Sequence, residues 1–125
     1  MSKKILVVED QDDNRHLLRR LLTRAGYEMI EAASGEDGVA LAEAHRPDLI
    51  LMDVQLPDLD GYEATRRIKA NPALRSIPII AVTSYALSGD DATALAAGCD
   101  AYVAKPFSPL ELLTTIRSYL AERAP

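Results

Sequence analysis

Polar side chains stand at the ends of four short apolar runs, where together they could carry out phosphoryl chemistry. These residues are Glu9 and Asp10, Asp53, Thr83, and Lys105. Three neighbouring carboxylates repel one another unless a cation lies between them, and oxygen ligands suit Mg²⁺. Asp53 would then be the nucleophile that takes up a phosphoryl group, while Thr83 and Lys105 bind the phosphoryl oxygens.

Each of these residues also has an ordinary structural explanation. The acidic residues within 9–13 could form a solvated turn at the start of a helix, and Asp53 could be a turn former after a strand. Thr83 could cap a helix, and Lys105 could be an exposed charge. Because the pattern recurs at four run ends, a shared site explains it better than four separate accidents.

The apolar runs themselves predict buried strands. Ile5–Val8, Leu49–Met52 and Ile77–Val82 are apolar throughout, which is typical of strands that are covered on both faces. Tyr27–Ala32 and Ala101–Ala104 are weaker strand candidates.

Helical patterns separate these strands, and polar pairs three residues apart mark three helix starts. The pairs are Ser34 with Asp37, Asp60 with Glu63, and Ser108 with Glu111. The first predicted helix carries an apolar stripe and ends at Gly26, and a fourth runs from about Ser88 to Ala97 with Gly98 as its cap. The stripe of the first helix is Leu17, Leu18, Leu21, Leu22 and Ala25, and that of the second is Val39, Leu41, Ala42 and Ala44.

A strand followed by a helix, repeated five times, predicts an α/β fold. We expect a five-stranded parallel sheet, doubly wound with helices on both faces, and a site at the carboxyl ends of the strands. Residues 1–125 are expected to form one domain, with no room for an appended effector domain.

Composition excludes several classes of function. The formal net charge of −5 disfavours nonspecific binding to nucleic acid or to an anionic membrane. No apolar run approaches the roughly 18 residues of a membrane span, and the amino terminus does not have the pattern of a signal peptide. With Cys99 as the lone cysteine, a reducing, cytoplasmic location is expected.

Other phosphate-handling proteins fit the sequence less well. A nucleoside triphosphate site needs a glycine-rich loop after the first strand, but residues 9–13 are mostly acidic and would repel phosphate. Phosphatases of the haloacid dehalogenase kind usually carry a second Asp two residues after the nucleophile, where this chain has Gln55. A phosphoryl-aspartate of longer lifetime is therefore the better interpretation.

These motifs resemble the receiver domains of bacterial two-component response regulators along the whole chain. The matching residues are Glu9-Asp10, Asp53 with Leu56-Pro57 and Asp60-Gly61, Thr83, and Lys105-Pro106. The segments around Asp10 and Asp53 are similar to the single-domain cell-cycle receivers of the DivK kind and to receivers of hybrid kinases. The resemblance implies the flavodoxin-like strand order 2-1-3-4-5, which is also the order found in a chemotaxis receiver.

The resemblance also implies roles for the acidic residues. Asp53 would accept the phosphoryl group from a histidine kinase or a histidine phosphotransfer protein. Asp10, Asp53 and the backbone carbonyl of Gln55 would bind Mg²⁺ directly, while Glu9 would act largely through water.

A second group of residues would sense the phosphoryl group. Lys105 would contact a phosphoryl oxygen, and its bond to Pro106 would be cis. Thr83 would move toward the phosphoryl group, and Tyr102 would turn inward as Thr83 moves. The surface made by the fourth helix, the fifth strand and the fifth helix would then bind a downstream protein.

The sequence leaves several roles open within and beyond this interpretation. The domain could regulate a target allosterically or pass the phosphoryl group onward, because both roles use the same pocket, and phosphorylation could also drive dimerisation. The alternatives are a small Mg²⁺-dependent phosphatase and a constitutive protein-binding module that no longer uses phosphorylation.

Overall fold

Strands and helices alternate along most of the chain in the computed structural model, which describes residues 3–54, 56, 58–83, 97–104 and 107–122. The strands are β1 (Lys4–Val8), β2 (Glu28–Ala32), β3 (Leu49–Asp53), β4 (Ile79–Thr83) and β5 (Ala101–Ala104). The helices are α1 (Asp12–Arg24), α2 (Gly35–His45), α3 (Gly61–Ala70) and a last helix, Pro109–Glu122.

The five strands form one parallel sheet in the order β2-β1-β3-β4-β5, as the resemblance implies. Val8 of β1 lies beside Ala32 of β2 and Met52 of β3, and Asp53 lies beside Val82 of β4. The carboxyl ends of the central strands therefore meet at one edge, where ligands bind in open α/β sheets.

Two separate apolar layers hold the helices to the sheet, because successive strand residues point to opposite faces. Leu6 and Val8 belong to the layer under α2 and α3, whereas Ile5 and Val7 belong to the layer under α1 and the last helix. All four side chains are fully buried. The amphipathic helices thus bury one stripe each, and β1 is covered on both faces.

Some predicted helix positions do not face the core. Leu18 and Leu22 are buried as predicted, but Leu17 is half exposed because it lies about 100° around the helix from Leu18. Ala44 of α2 is likewise exposed. The fourth predicted helix lies outside the described residues except for Ala97, which is helical; the Gly98 that follows has φ +107, as expected for a cap.

Cys99 is a packed core residue, as expected of a small apolar side chain. It is buried, and burial raises the pKa of its thiol. The thiol donates to the hydroxyl of Thr65 at 3.7 Å, and that hydroxyl donates to the Gly61 carbonyl at 2.8 Å.

Within the part of the chain that the structure describes, no helix has the length and apolar character needed to cross a membrane.

The amino terminus of α2 is capped from two directions. Ser34 accepts a hydrogen bond from the amide of Asp37 at 3.2 Å, as the spacing predicts. Asp58, which lies in the loop between β3 and α3, accepts from the amides of Gly35 at 2.9 Å and Glu36 at 3.1 Å. These two hydrogen bonds lower the pKa of Asp58 below its ordinary value of 3.8.

The capping carboxylate predicts a pH dependence of stability. Because the folded-state pKa of Asp58 is lowered, its contribution is fully present above its unfolded pKa and is lost as the pH falls through the folded value. We therefore expect the free energy of unfolding to fall more steeply below about pH 4 in the wild type than in Asp58→Asn. Urea unfolding at a series of pH values measures this, and parallel curves for the two proteins would contradict it.

Candidate metal centre

Three carboxylates meet at the carboxyl edge of the sheet. Oxygen atoms of Glu9, Asp10 and Asp53 all lie within 4.8 Å of one another. Glu9 and Asp53 are only 3% and 4% exposed, and Asp10 is half-buried. Three acidic groups predicted to share a site are thus brought together, in surroundings that screen their repulsion poorly.

The neighbouring strands β1 and β3 place these groups side by side. Asp53 is the last residue of β3, and Glu9 and Asp10 directly follow the end of β1. The amide of Glu9 still pairs with the carbonyl of Ala32 in β2 at 2.9 Å, so the backbone keeps its strand direction into the cluster. Apolar side chains fix these strands, and the polar residue that follows each apolar run enters the site.

The carboxylate of Glu9 is held by the turn that starts α1. One oxygen accepts from the amide of Gln11 at 3.0 Å, and the other accepts from the side-chain amide of Asn14 at 3.2 Å. Both oxygens of Glu9 therefore already accept hydrogen bonds from protein groups. Asp10 is more exposed than Glu9.

Arg15 secures the backbone on the other side of the cluster. Its guanidinium donates to the Glu9 carbonyl at 2.7 Å, pairs with Asp12, and lies 3.4 Å from the carboxylate of Glu31 in β2. Glu31 also pairs with Arg19. The sequence analysis missed Asn14 and Arg15, although their positions in the first turn after the acidic pair could have indicated them.

A glycine lets the next helix approach Asp53 closely. The amide of Gly61, the first residue of α3, donates to the carbonyl of Val54 at 3.0 Å. A Cβ atom at position 61 would lie 2.2 Å from the Asp53 carbonyl oxygen and 2.8 Å from the Val54 Cα. The backbone around Asp53 can therefore follow this path only because residue 61 has no side chain.

A small cavity adjoins the carboxylates on the α1 side of the sheet. Glu9 and Asp53 contribute to its wall, and its other lining residues are Val7, Val8, Leu18, Leu51, Val82 and Phe107. An apolar wall of this kind lowers the local dielectric, which strengthens the interaction of the carboxylates with any bound cation.

The remaining predicted site residues are only partly described. Thr83 ends β4, where its backbone pairs with Ala104, but its side chain is not among those described. Tyr102 lies in β5 and is 39% exposed. Gln55, Lys105 and Pro106, and with them the predicted carbonyl ligand, the predicted phosphoryl contact and the predicted cis bond, lie outside the described residues.

The donor set fits a hard divalent cation. All three groups are carboxylates, which are the ligands that Mg²⁺ takes in proteins along with water. Asp10 is only half-buried, so that a cation bound there could keep some of its waters. The cluster is therefore compatible with a Mg²⁺ site.

Sequence comparison agrees with this geometry. Residues 5–117 match the family described as the response regulator receiver domain. The chain is a response regulator receiver domain. It is 45% identical over 122 residues to the polar-differentiation response regulator DivK of Brucella ovis, covering 98% of this chain and 99% of that protein.

Solved structures share the fold of this receiver. A response regulator from Chloroflexus aurantiacus superposes with a TM-score of 0.92 at 34% identity, covering 97% of this chain and 99% of that one. The receiver domain of the sensor histidine kinase PA1611 from Pseudomonas aeruginosa has a TM-score of 0.91 at 42% identity, with the same coverage of both chains. That structure contains a magnesium ion coordinated in its active-site cleft.

Receiver domains are signalling modules rather than conventional enzymes, and they interact with histidine kinases and downstream targets.

We expect Mg²⁺ to stabilise the folded receiver, because the cation relieves the repulsion among the three carboxylates. At free Mg²⁺ about 100 times its dissociation constant, the gain in unfolding free energy should be about 2.7 kcal/mol. Thermal melts followed by circular dichroism measure the effect, with Asp10→Asn expected to show a smaller gain. If KCl of the same ionic strength raises the melting temperature by an equal amount, the effect is nonspecific.

Gly61→Ala should destabilise the receiver more than Gly26→Ala does. The added Cβ at position 61 meets backbone atoms and should cost about 3 kcal/mol. Gly26 has φ +91 with no atom near the added Cβ, so that only the left-handed backbone is penalised, by about 1 kcal/mol. Urea unfolding compares the two variants. Equal losses of unfolding free energy would show that α3 can move away from Asp53 with little loss of stability.

Proposed function

We propose that this receiver accepts a phosphoryl group from a phosphohistidine donor on Asp53, with Mg²⁺, and thereby switches its binding to a partner protein. The observation that carries the proposal is the meeting of Glu9, Asp10 and Asp53 at the carboxyl edge of the sheet. The donor would be a histidine kinase or a histidine phosphotransfer protein.

In this proposal the acidic residues have different roles toward Mg²⁺. Asp10, Asp53 and the backbone carbonyl of Gln55 hold Mg²⁺, which supplies positive charge to the phosphoryl oxygens. Glu9 acts through water, in keeping with the two hydrogen bonds that its carboxylate already accepts. Because Asp53 is almost fully buried, little bulk water surrounds it to weaken the charge interactions.

The reaction is a transfer between two side chains. A carboxylate oxygen of Asp53 attacks the phosphorus atom, a new P–O bond forms, and the bond between phosphorus and the donor imidazole nitrogen breaks. The electron pair of that bond stays on the departing imidazole, which takes up a proton. Lys105 contacts a phosphoryl oxygen and balances the charge that develops there.

The switch follows from new interactions of the phosphoryl group. The added charge and acceptor oxygens favour the arrangement in which Thr83 and Lys105 contact them. Tyr102, 39% exposed on the edge strand β5, turns inward as Thr83 moves. The surface around β5 and the last helix thereby changes and binds its downstream target. The domain catalyses only its own phosphorylation and dephosphorylation.

Incubation with Mg²⁺ and acetyl phosphate should add one phosphoryl group to the wild type. Asp53→Asn removes the attacking carboxylate oxygen without changing the size of the side chain, and should show no gain. Intact-protein mass spectrometry measures both proteins. Chelation of the metal should abolish the gain in the wild type as well.

The other outcomes of this experiment are equally decisive. A gain in both proteins would place the acceptor elsewhere and refute the assignment of Asp53. If no gain occurs either with acetyl phosphate or with a phosphorylated kinase, a constitutive binding module would be favoured. Repeated release of phosphate from small monoesters would instead indicate a phosphatase.

A further inference from the structure

Asp58 joins the loop between β3 and α3 to the first turn of α2. We propose that Asp58 is a positioning residue for the metal centre, holding the loop that follows Asp53 by capping a helix from outside it. The inference rests on the proposed function, since that loop contains Gln55, whose carbonyl is the proposed third protein ligand.

The cap is complete only with Asp58. The first amides of a helix have no partner within the helix. In α2, the amides of Gly35 and Glu36 donate to the carboxylate of Asp58, and the amide of Asp37 donates to Ser34. The next amide, of Gly38, makes the first hydrogen bond of the helix itself, to the Ser34 carbonyl at 3.0 Å. Ser34 accepts from one of these amides and is only three residues away from it in the sequence. Asp58 accepts from two of them and is 22 or 23 residues away in the sequence.

Close packing beside the cap strengthens this connection. A Cβ atom at Gly35 would lie 2.7 Å from the carbonyl oxygen of Leu59 and 2.9 Å from its Cβ. The loop backbone thus lies directly against the helix terminus. Leu59 also packs against the apolar layer under α2 and α3. The carboxylate and the neighbouring side chain therefore attach the same part of the loop to the same helix end.

The ends of the loop are fixed by different contacts. The amide of Val54 donates to the carbonyl of Val82 at 3.3 Å, and the amide of Gly61 donates to the carbonyl of Val54 at 3.0 Å. Asp58 lies between these points and three residues beyond Gln55. Its two hydrogen bonds thus attach the chain to α2 at a point between the contacts at the two ends.

Ion pairs nearby do not replace this connection. Glu36 pairs with Arg67 at 3.0 Å, and Arg67 lies 3.5 Å from Glu63. These groups are largely exposed, and such pairs contribute little in water. The first joins α2 to α3 and the second lies within α3, so neither holds the loop, and removal of Asp58 should loosen the loop even while they remain.

Asp58→Ala and Ser34→Ala form a matched pair for testing the proposal. Each removes a side-chain cap from the same helix end, but only Asp58 holds the loop. Asp58→Ala should weaken Mg²⁺ binding roughly tenfold, as is typical for residues that orient metal ligands. Ser34→Ala should lower stability with its Mg²⁺ affinity unchanged. Isothermal titration with MgCl₂ gives the affinities, and urea unfolding gives the stabilities.

Hydrogen exchange of the metal-free proteins tests the positioning without any cation. Amides within 54–61 should exchange faster in Asp58→Ala than in the wild type or in Ser34→Ala. Asp58→Asn keeps an oxygen that can accept from Gly35 and should restore part of the protection and affinity. It also serves as the test variant if Asp58→Ala does not fold.

The results separate failure of this inference from failure of the proposed function. If the wild type binds Mg²⁺ and Asp58→Ala binds it equally well, Asp58 is only a helix cap. Equal weakening in Ser34→Ala and Asp58→Ala would also overturn the inference, because loss of the helix end would explain both. A wild type that binds no Mg²⁺ refutes the metal centre, and unchanged exchange within 54–61 in Asp58→Ala refutes the positioning independently.

Discussion

Repulsion among three carboxylates is the constraint on which this structure depends. Glu9, Asp10 and Asp53 lie within 4.8 Å of one another, and two of them are nearly inaccessible to water. A chain gains nothing in stability by gathering like charges in this way, so the surrounding elements must hold them in place. The buried strands β1 and β3 do so through their apolar side chains, and their parallel pairing brings both carboxyl ends to one edge. The same repulsion makes the cluster attractive to a cation.

Hydrogen bonds around the cluster fix the acidic groups in different ways. Donors from Gln11, Asn14 and Arg15 hold Glu9 and its backbone, whereas Gly61 allows α3 to pack against the carbonyl of Asp53. The protein thus binds one carboxylate itself and leaves Asp10 half-buried beside it. In the proposed function, this difference in surroundings is what would let Glu9 act through water and Asp10 contact the cation directly.

Local patterns predicted the strands, three helix starts and the acidic cluster, because each depends on residues close together in the chain. The capping pairs at Ser34, Asp60 and Ser108 make the expected hydrogen bonds, and Asp53 ends its strand as expected. Contacts between distant segments were not predictable in this way. Asp58 reaches Gly35 across 23 residues. Leu17 has the same residue type as its buried neighbour Leu18, and only the rotation of α1 on the sheet decides which of the two is covered.

The two apolar layers have a consequence for divergence among related proteins. Because Val7 and Val8 enter opposite layers immediately before the acidic pair, an inherited change in either layer alters the support of the same two carboxylates. The outward stripes of the helices carry no such constraint, since each helix buries a single stripe. Substitutions on those stripes should therefore be tolerated while the interior and its chemistry stay as they are.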